Sequence, residues 1–191
     1  MDATKIIVRP ATQSDAAMIA NVVVMAIGDE TALRIGYGCD YLAMFEAIAH
    51  NEATQYSYTN ALIAEIDGNV AGAVVGYDGA KLHPLREGTL SVMREHIASV
   101  TIPEDETEAG EYYLDSIAVV PAFRSRGVAR ALIAAFCDKA FDEGHERVGL
   151  IVDVDNPQAE SLYSSLGFER INELTFYGHR MWHLQRKIGI K

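Results

Sequence analysis

The sequence predicts a mixed α/β chain, an α+β arrangement in which helices pack on one mixed β-sheet. Three observations predict it. Short runs rich in β-branched residues alternate with longer stretches whose apolar residues recur at helical spacing. One run, "RVGLIVDV", is almost wholly apolar, the pattern of a strand buried on both faces. The order is strand, helices, hairpin, strand, helix, strand, helix and two final strands, and it calls for a mixed sheet with helices laid on it.

Taken in order, "TKIIVRPA" reads as a first strand that ends at Pro10. "TQSDAAMIANVVVMAIG" carries Met18, Ile19, Val22, Val23 and Ile27 on one helical face, with Ser14 as cap and Gly28 as stop. "CDYLAMFEAIAH" is a helix opened by Asp40. "ALIAEIDGNVAGAVVGY" is a hairpin turning at Asp67-Gly68-Asn69, where Asp-Gly suits positive φ. Within the next segment, 78–111, Leu90, Met93 and Ile97 mark a helix. His83-Pro84 reads as a turn, and the tail "PEDETEAGE" as a loop. "YYLDSIAVV" is a strand stopped by Pro121, followed by a long helix to about Glu143 and then by "RVGLIVDV". "NPQAESLYSSLGF" is a short helix with Asn156 at the cap, Pro157 in the first turn and Gly167 as the stop. "FERINEL" and "FYGHRMWHLQRKI" close as an antiparallel pair, with Trp182 in core or edge packing. No repeat or linker interrupts the chain, so 1–191 reads as one domain.

Composition excludes several function classes. With 49% hydrophobic and 23% charged residues the chain is ordinary globular material. Its formal net charge of −11 opposes nucleic-acid backbones and anionic membrane surfaces, so no nucleic acid and no membrane are expected as partners. No apolar run reaches the length of a membrane span, and "MDATKIIVRP" lacks a secretory core. Cys39 and Cys137 belong to no CxxC or Cys/His cluster and read as reduced thiols of a cytoplasmic protein. The six histidines are scattered, and although His179 and His183 share a strand face, no metal is expected.

Against that acidity, "VVPAFRSRGVARALIAAF" concentrates Arg124, Arg126 and Arg130 around Gly127. A strand that ends, turns through a glycine and enters a helix presents unpaired amides and a positive dipole end, which favour an anion. Cations near a helix N-terminus are mildly unfavourable to the helix. Either the turn holds a phosphate or the arginines are simply solvated. Neither a Walker loop nor GxGxxG is present.

Arg124-Ser125-Arg126-Gly127-Val128-Ala129 resembles the Q/R-x-x-G-x-G/A signature of the GNAT superfamily of N-acetyltransferases. "DNPQAESLYSSLGF" resembles that family's second signature, with Asn156, Ala159, Leu162, Tyr163, Leu166, Gly167 and Phe168 in place. The resemblance implies the GNAT fold, a central, mostly antiparallel mixed sheet flanked by helices. It also implies acetyl-CoA as acyl donor and acetyl transfer to a primary amine of a small molecule or peptide, by direct attack in a ternary complex. The amides and side chains of residues 124–129 would then hold the pyrophosphate. Ile117 and Val119 would pair with the pantetheine arm, the Val119 amide meeting the thioester oxygen. Homodimers are common in the family, and the aromatic last strand is the candidate surface for one.

Amine acylation needs a neutral amine, although an alkylamine has a pKa of about 10.4. A carboxylate that accepts its proton contributes roughly 10²–10⁴ in rate. Asp115 is the first candidate base, since alternation places it on one side of its strand with Ile117 and Val119. The alternative is a strand-end or arginine partner. Glu111 is the reserve, and a water chain is the third possibility. Tyr163 lies two helical turns past Asn156 on one face. The resemblance makes it the donor to the leaving thiolate, and the alternative is core packing. Asn156 is a helix cap and, by resemblance, a CoA contact.

The acceptor falls to "IGYGCDYLAMFEAIAH" and to segment 78–111, a candidate acceptor-site insertion with eight acids against three bases. Its acidic tail either attracts a cationic amine or is a solvated loop. A non-catalytic acyl-CoA sensor is the alternative function, and would keep residues 124–129 without needing Asp115 or Tyr163. A nucleotide-phosphate binder lacks its lysine and magnesium-ligand motif.

Overall fold

The structure, a computed structural model, describes residues 5–189. The predicted start of the first strand at Thr4 lies outside the described residues. Seven strands form one sheet: β1 (Ile6–Pro10), β2 (Ala61–Ile66), β3 (Asn69–Asp78), β4 (Tyr112–Val119), β5 (Arg147–Asp153), β6 (Glu169–Phe176) and β7 (His179–Lys187). Their spatial order is β1-β2-β3-β4-β5-β7-β6, and only β4 and β5 run parallel. The helices are α1 (Ala16–Ile27), α2 (Asp29–Ile35), α3 (Tyr41–His50), α4 (Leu82–His96), α5 (Val128–Asp142) and α6 (Pro157–Ser165).

The strand order follows from the chain's local chemistry. The β2–β3 turn places Asp67 at φ 52°, as a primed hairpin turn requires. β3 is buried along most of its length because helices cover both its faces. On one face α5 buries Val128, Leu132, Ile133, Phe136, Cys137 and Ala140 against β2, β3, β4 and β5. Full burial of each large apolar side chain there stabilises by about 1.5–3 kcal/mol. On the other face α1, α3 and α4 pack together through Ile19, Val23, Met44, Phe45, Leu90 and Met93.

Three local expectations are corrected. The N-terminal cap before α1 is built by Thr12 and Asp15, whose carboxylate accepts from the Thr12 amide at 2.7 Å, and Ser14 is not the cap. His83-Pro84 is no separate turn: it forms the first turn of α4, where a missing N–H costs nothing. The short helix α2, between Gly28 and Gly36, was not read from the sequence at all. Asp40 does open α3, accepting from the Ala43 amide at 3.1 Å.

Candidate active site

The site begins where two parallel strands separate. β4 and β5 pair only at Tyr112–Val148 and Tyr113–Gly149, and beyond these residues they diverge. On its other edge β4 stays paired with β3 as far as Gly72–Val119. Val120 donates its amide to Ala71 at 2.9 Å. Hydrogen-bonded and non-bonded pairs alternate in an antiparallel ladder, so Ala118 and Ser116 face β3 as Val120 does. Ile117 and Val119 therefore turn their N–H and C=O groups into the opening. A cavity of about 430 Å³ occupies it, walled by residues 113–117 of β4 and 150–153 of β5.

Asp115 does line this cavity, but not by the alternation expected of it. Val75 pairs with Ser116 while Gly76 pairs with Leu114, so Asp115 is an extra residue, a β-bulge without a partner on β3. The bulge reverses the side-chain phase. Ile117 and Val119 pack with the α5 core, whereas Ala118 packs towards α1. Asp115 meets Tyr77, which clusters with Tyr113 and Leu82 near α4. The carboxylate thus lies on the opposite face from the Ile117 and Val119 side chains.

A buried polar cluster surrounds Asp115. Its Oδ1 accepts from Ser116 Oγ at 2.8 Å, and its Oδ2 lies 3.4 Å from the Tyr77 hydroxyl oxygen. The same hydroxyl donates to Glu106 Oε1 at 3.0 Å, and Gln55 Nε2 donates to both Glu106 Oε1 and Tyr77 Oη at 2.9 Å. Arg86 pairs with Glu106, and with Asp105 at 2.6 Å. Burial, then the nearby Glu106 charge, pushes the Asp115 carboxyl up to about 7, against smaller pulls from Ser116, Tyr77 and Arg86. Burial likewise lifts Glu106 above the usual carboxylate range despite Arg86.

The acidic tail of segment 78–111 is a loop that is solvated only in part: Glu104, Asp105 and Glu108 are exposed, whereas Glu106 and Glu111 are buried. Glu104 accepts from the Tyr177 amide at 3.0 Å, tying this strap to the β6–β7 turn. Asp105 and Glu106 hold Arg86. Of these acids, Glu106 lines the cavity. Sequence reasoning missed Tyr77 and Gln55, and took Glu106 only as part of an acidic patch that attracts a cationic amine or is solvated. One signal could have found them: Arg86 shares the buried face of α4 with Thr89, Leu90 and Met93, and a buried arginine demands a carboxylate.

Glu111, the reserve base, points elsewhere. It is 1% exposed and accepts from Thr107 at 2.6 Å, Gln185 at 2.8 Å and His183 at 2.9 Å. Burial works to raise its pKa, yet the His183, Thr107 and Gln185 hydrogen bonds prevail and hold it below the ordinary value. His183 is thereby engaged away from His179, which meets Asp153 at 3.4 Å.

Across the opening, Asn156, Ala159 and Tyr163 line the cavity from α6. Asn156 caps that helix by accepting from the Ala159 amide at 3.1 Å. Tyr163 packs edge-on against Phe168, and among the described residues its hydroxyl has no hydrogen-bond partner. Burial pushes its phenol up to about 12, so it is protonated at neutral pH. Both expected roles of this ring, packing and proton donation, are compatible with this placement.

Val119 and residues 124–129 lie outside the cavity lining, past the end of β4. Gly127 begins α5 in the left-handed region at φ 86°, and Ser125 also has positive φ, 60°. No side chain caps α5 there. Among the described residues, the amides of 125–130 donate to no backbone or side-chain acceptor. Nor, among those residues, does Arg124, Arg126 or Arg130 pair with a carboxylate. Arg124 Nε donates to the Val119 carbonyl at 3.4 Å, Arg126 lies over the Phe123 ring, and Arg130 donates to Ser165 at 2.9 Å. The result is an exposed, cationic nest of amides continuous with the β4 edge.

Comparison with known proteins agrees with this geometry. A family model described as "Acetyltransferase (GNAT) family" matches residues 32–168. A crystal structure of an acetyltransferase superposes with a TM-score of 0.80 at 30% identity, covering 96% of this chain and all of that one. An N-acetyltransferase from Staphylococcus aureus Mu50 superposes at 0.81, with 24% identity over 94% of this chain and 99% of that one, and so speaks for the fold alone. Mycothiol acetyltransferase of Renibacterium salmoninarum is 36% identical over 77 residues, 40% of this chain. The chain spans only 22% of that relative's length. Aminoglycoside N(6′)-acetyltransferase type 1 of Salmonella typhimurium is 34% identical over 68 residues, 36% of this chain and 47% of that protein. With the sheet topology, the parted strands and a family match over most of its length, the chain belongs to the acetyltransferase (GNAT) family.

Proposed function

We propose that the protein is an N-acetyltransferase that moves the acetyl group of acetyl-CoA to a primary amine of a small molecule or peptide by direct attack. The observation that carries this reading is the opening between β4 and β5. One wall bears a carboxylate poised near neutrality, and the other bears a protonated phenol. Asp115 takes the proton of the incoming ammonium, directly or through water. The Val119 amide, on the open edge of β4, stabilises the oxygen that gains charge, a contribution of about 3–4 kcal/mol for one such donor. Tyr163 hydrogen-bonds the departing sulfur and supplies its proton. Asn156 and the Ile117 edge align the pantetheine arm. Residues 124–129 hold the pyrophosphate on Arg124, Arg126 and the amides of Ser125, Gly127, Val128 and Ala129. The names of the mycothiol and aminoglycoside relatives support a small-molecule acceptor.

Thiol release from acetyl-CoA across a panel of amines tests the activity, beside the thermal shift that acetyl-CoA causes. Stabilisation with amine-dependent thiol release is expected. Stabilisation without release on any amine would return the chain to the sensor alternative. Neither response would overturn the reading.

Two variants separate the parts. Replacing Arg124 and Arg126 together by alanine should weaken acetyl-CoA binding about tenfold per arginine, since a charged hydrogen bond contributes about 1.5–3 kcal/mol. Calorimetry measures this, and an unchanged Kd removes the two side chains from the anchor. Tyr163→Phe should lower kcat by about 10² while leaving acetyl-CoA affinity unchanged. An unaltered kcat would reduce Tyr163 to a packing residue.

A further inference from the structure

We infer that Glu106 is a positioning residue for the reaction, acting on Asp115 through the single hydroxyl of Tyr77 that both carboxylates share. The inference rests on the reading of Asp115 as the base. It adds a second carboxylate, supplied by the strap before β4, that does not touch the reacting atoms.

Hydrogen counting shows how the arrangement works. Tyr77 has one hydroxyl proton and two carboxylate acceptors, Glu106 Oε1 at 3.0 Å and Asp115 Oδ2 at 3.4 Å. Gln55 Nε2 spends its two hydrogens on Tyr77 Oη and on Glu106 Oε1. Glu106 Oε2 takes Arg86. Glu106 therefore gathers three donors, which favour its ionised form against the burial that disfavours it. While it does so, the Tyr77 proton is committed to it at the shorter distance. Asp115 is left with Ser116 as its one short partner, facing a like charge across a tyrosine oxygen. A like charge nearby disfavours ionisation, which makes Asp115 a better proton acceptor than an ordinary aspartate. When Asp115 takes a proton from the amine, that proton can point at Tyr77 Oη without disturbing the Tyr77–Glu106 bond.

The remaining charged and titratable neighbours do not substitute for Glu106. From the loop after α3 comes Tyr56, from β4 Tyr113, and from the β6–β7 turn Tyr177. Burial keeps all three phenols protonated at neutral pH. From α4 comes Arg86, whose effect on Asp115 opposes that of Glu106 and is the smaller. Across the cavity stand Asp153 and His179, paired with each other. The cavity-lining residues of α1 and α2 are uncharged.

Glu106→Gln removes the charge and frees the Tyr77 proton for Asp115. The acid limb of kcat/KM should move to lower pH by about one unit or more, and the plateau should fall with the weaker base. Glu106→Asp, which keeps the charge, should restore most of the limb. A loss of activity from misfolding alone would lower the plateau without moving the limb. Should Glu106→Gln fail to fold, Arg86→Gln with Glu106→Gln removes the ion pair as a unit, a change proteins tolerate better than a broken pair. A smaller shift in the same direction is expected there. Infrared titration of the Asp115 carboxyl, identified as the band lost in Asp115→Asn, reports the same shift without turnover. An Asp115 band that titrates at the wild-type pH in these variants overturns the inference. A band that shifts, in an enzyme whose activity does not follow Asp115, instead overturns the assignment of Asp115 as base.

Discussion

Asp115→Asn is expected to lower kcat/KM by about 10²–10⁴, the range attributed to a positioned proton acceptor, with the thermal shift by acetyl-CoA preserved. The asparagine is isosteric and can keep the Ser116 and Tyr77 contacts, so folding should survive. The pH profile carries the sharper test. In the wild type, with the Asp115 carboxyl near 7, activity should rise as pH increases through that value and the base loses its proton. The amine titrates separately, at about 10.4 for an alkylamine, and contributes its own dependence. Asp115→Asn should abolish the limb near 7 and leave that of the amine. A variant as active as the wild type, with the limb intact, would hand the proton to a water chain.

Gly149→Ala should cost about 3–5 kcal/mol, the scale of leaving a buried charge uncompensated, and lower Tm by about 10 °C. A Cβ at this position would lie 1.8 Å from Glu111 Oε2. The carboxylate would have to leave His183, Gln185 and Thr107, the three partners that hold it at the junction of β4, β5 and β7. The sign of the pH dependence follows from the same partners. The folded pKa of Glu111 lies below 4.5, so its charge adds stability at higher pH. That contribution is lost as pH falls through the folded value. Gly149→Ala should therefore lose most stability at neutral pH and differ less from the wild type in acid. A calorimetric Tm equal to the wild type's at pH 7 would show that Glu111 moves aside freely.

The features legible in the sequence are those whose causes are local. The arginine turn and the Asn156 cap each sit in one short stretch, where strand, turn and helix signals follow one another and the two motifs stand in order. The hairpin at Asp67-Gly68 was legible for the same reason. The features missed depend on partners far along the chain. The bulge at Asp115 exists only because Val75 and Gly76 on β3 pair as they do, and nothing in "YYLDSIAVV" announces a break in alternation. "PEDETEAGE" reads as solvated because charge density usually means solvent. Here Glu104 and Asp105 keep solvent while reaching the Tyr177 amide and Arg86, and Glu106 is buried on Arg86, Gln55 and Tyr77. Helix α2 has seven residues between two glycines, too short to show a period.

The outer half of β4 offers main-chain groups along its free edge and a carboxylate on one face, while the side chains of Ile117 and Val119 face the other way, into the α5 core. These two kinds of recognition respond differently to mutation. Exchange of any ordinary residue at 117 or 119 leaves the amide and carbonyl in place, and proline alone deletes a donor. On the proposed reading, exchange of the cavity residues Tyr56, Met93 or Tyr177 retunes which nucleophile enters and leaves the main-chain contacts to the donor untouched.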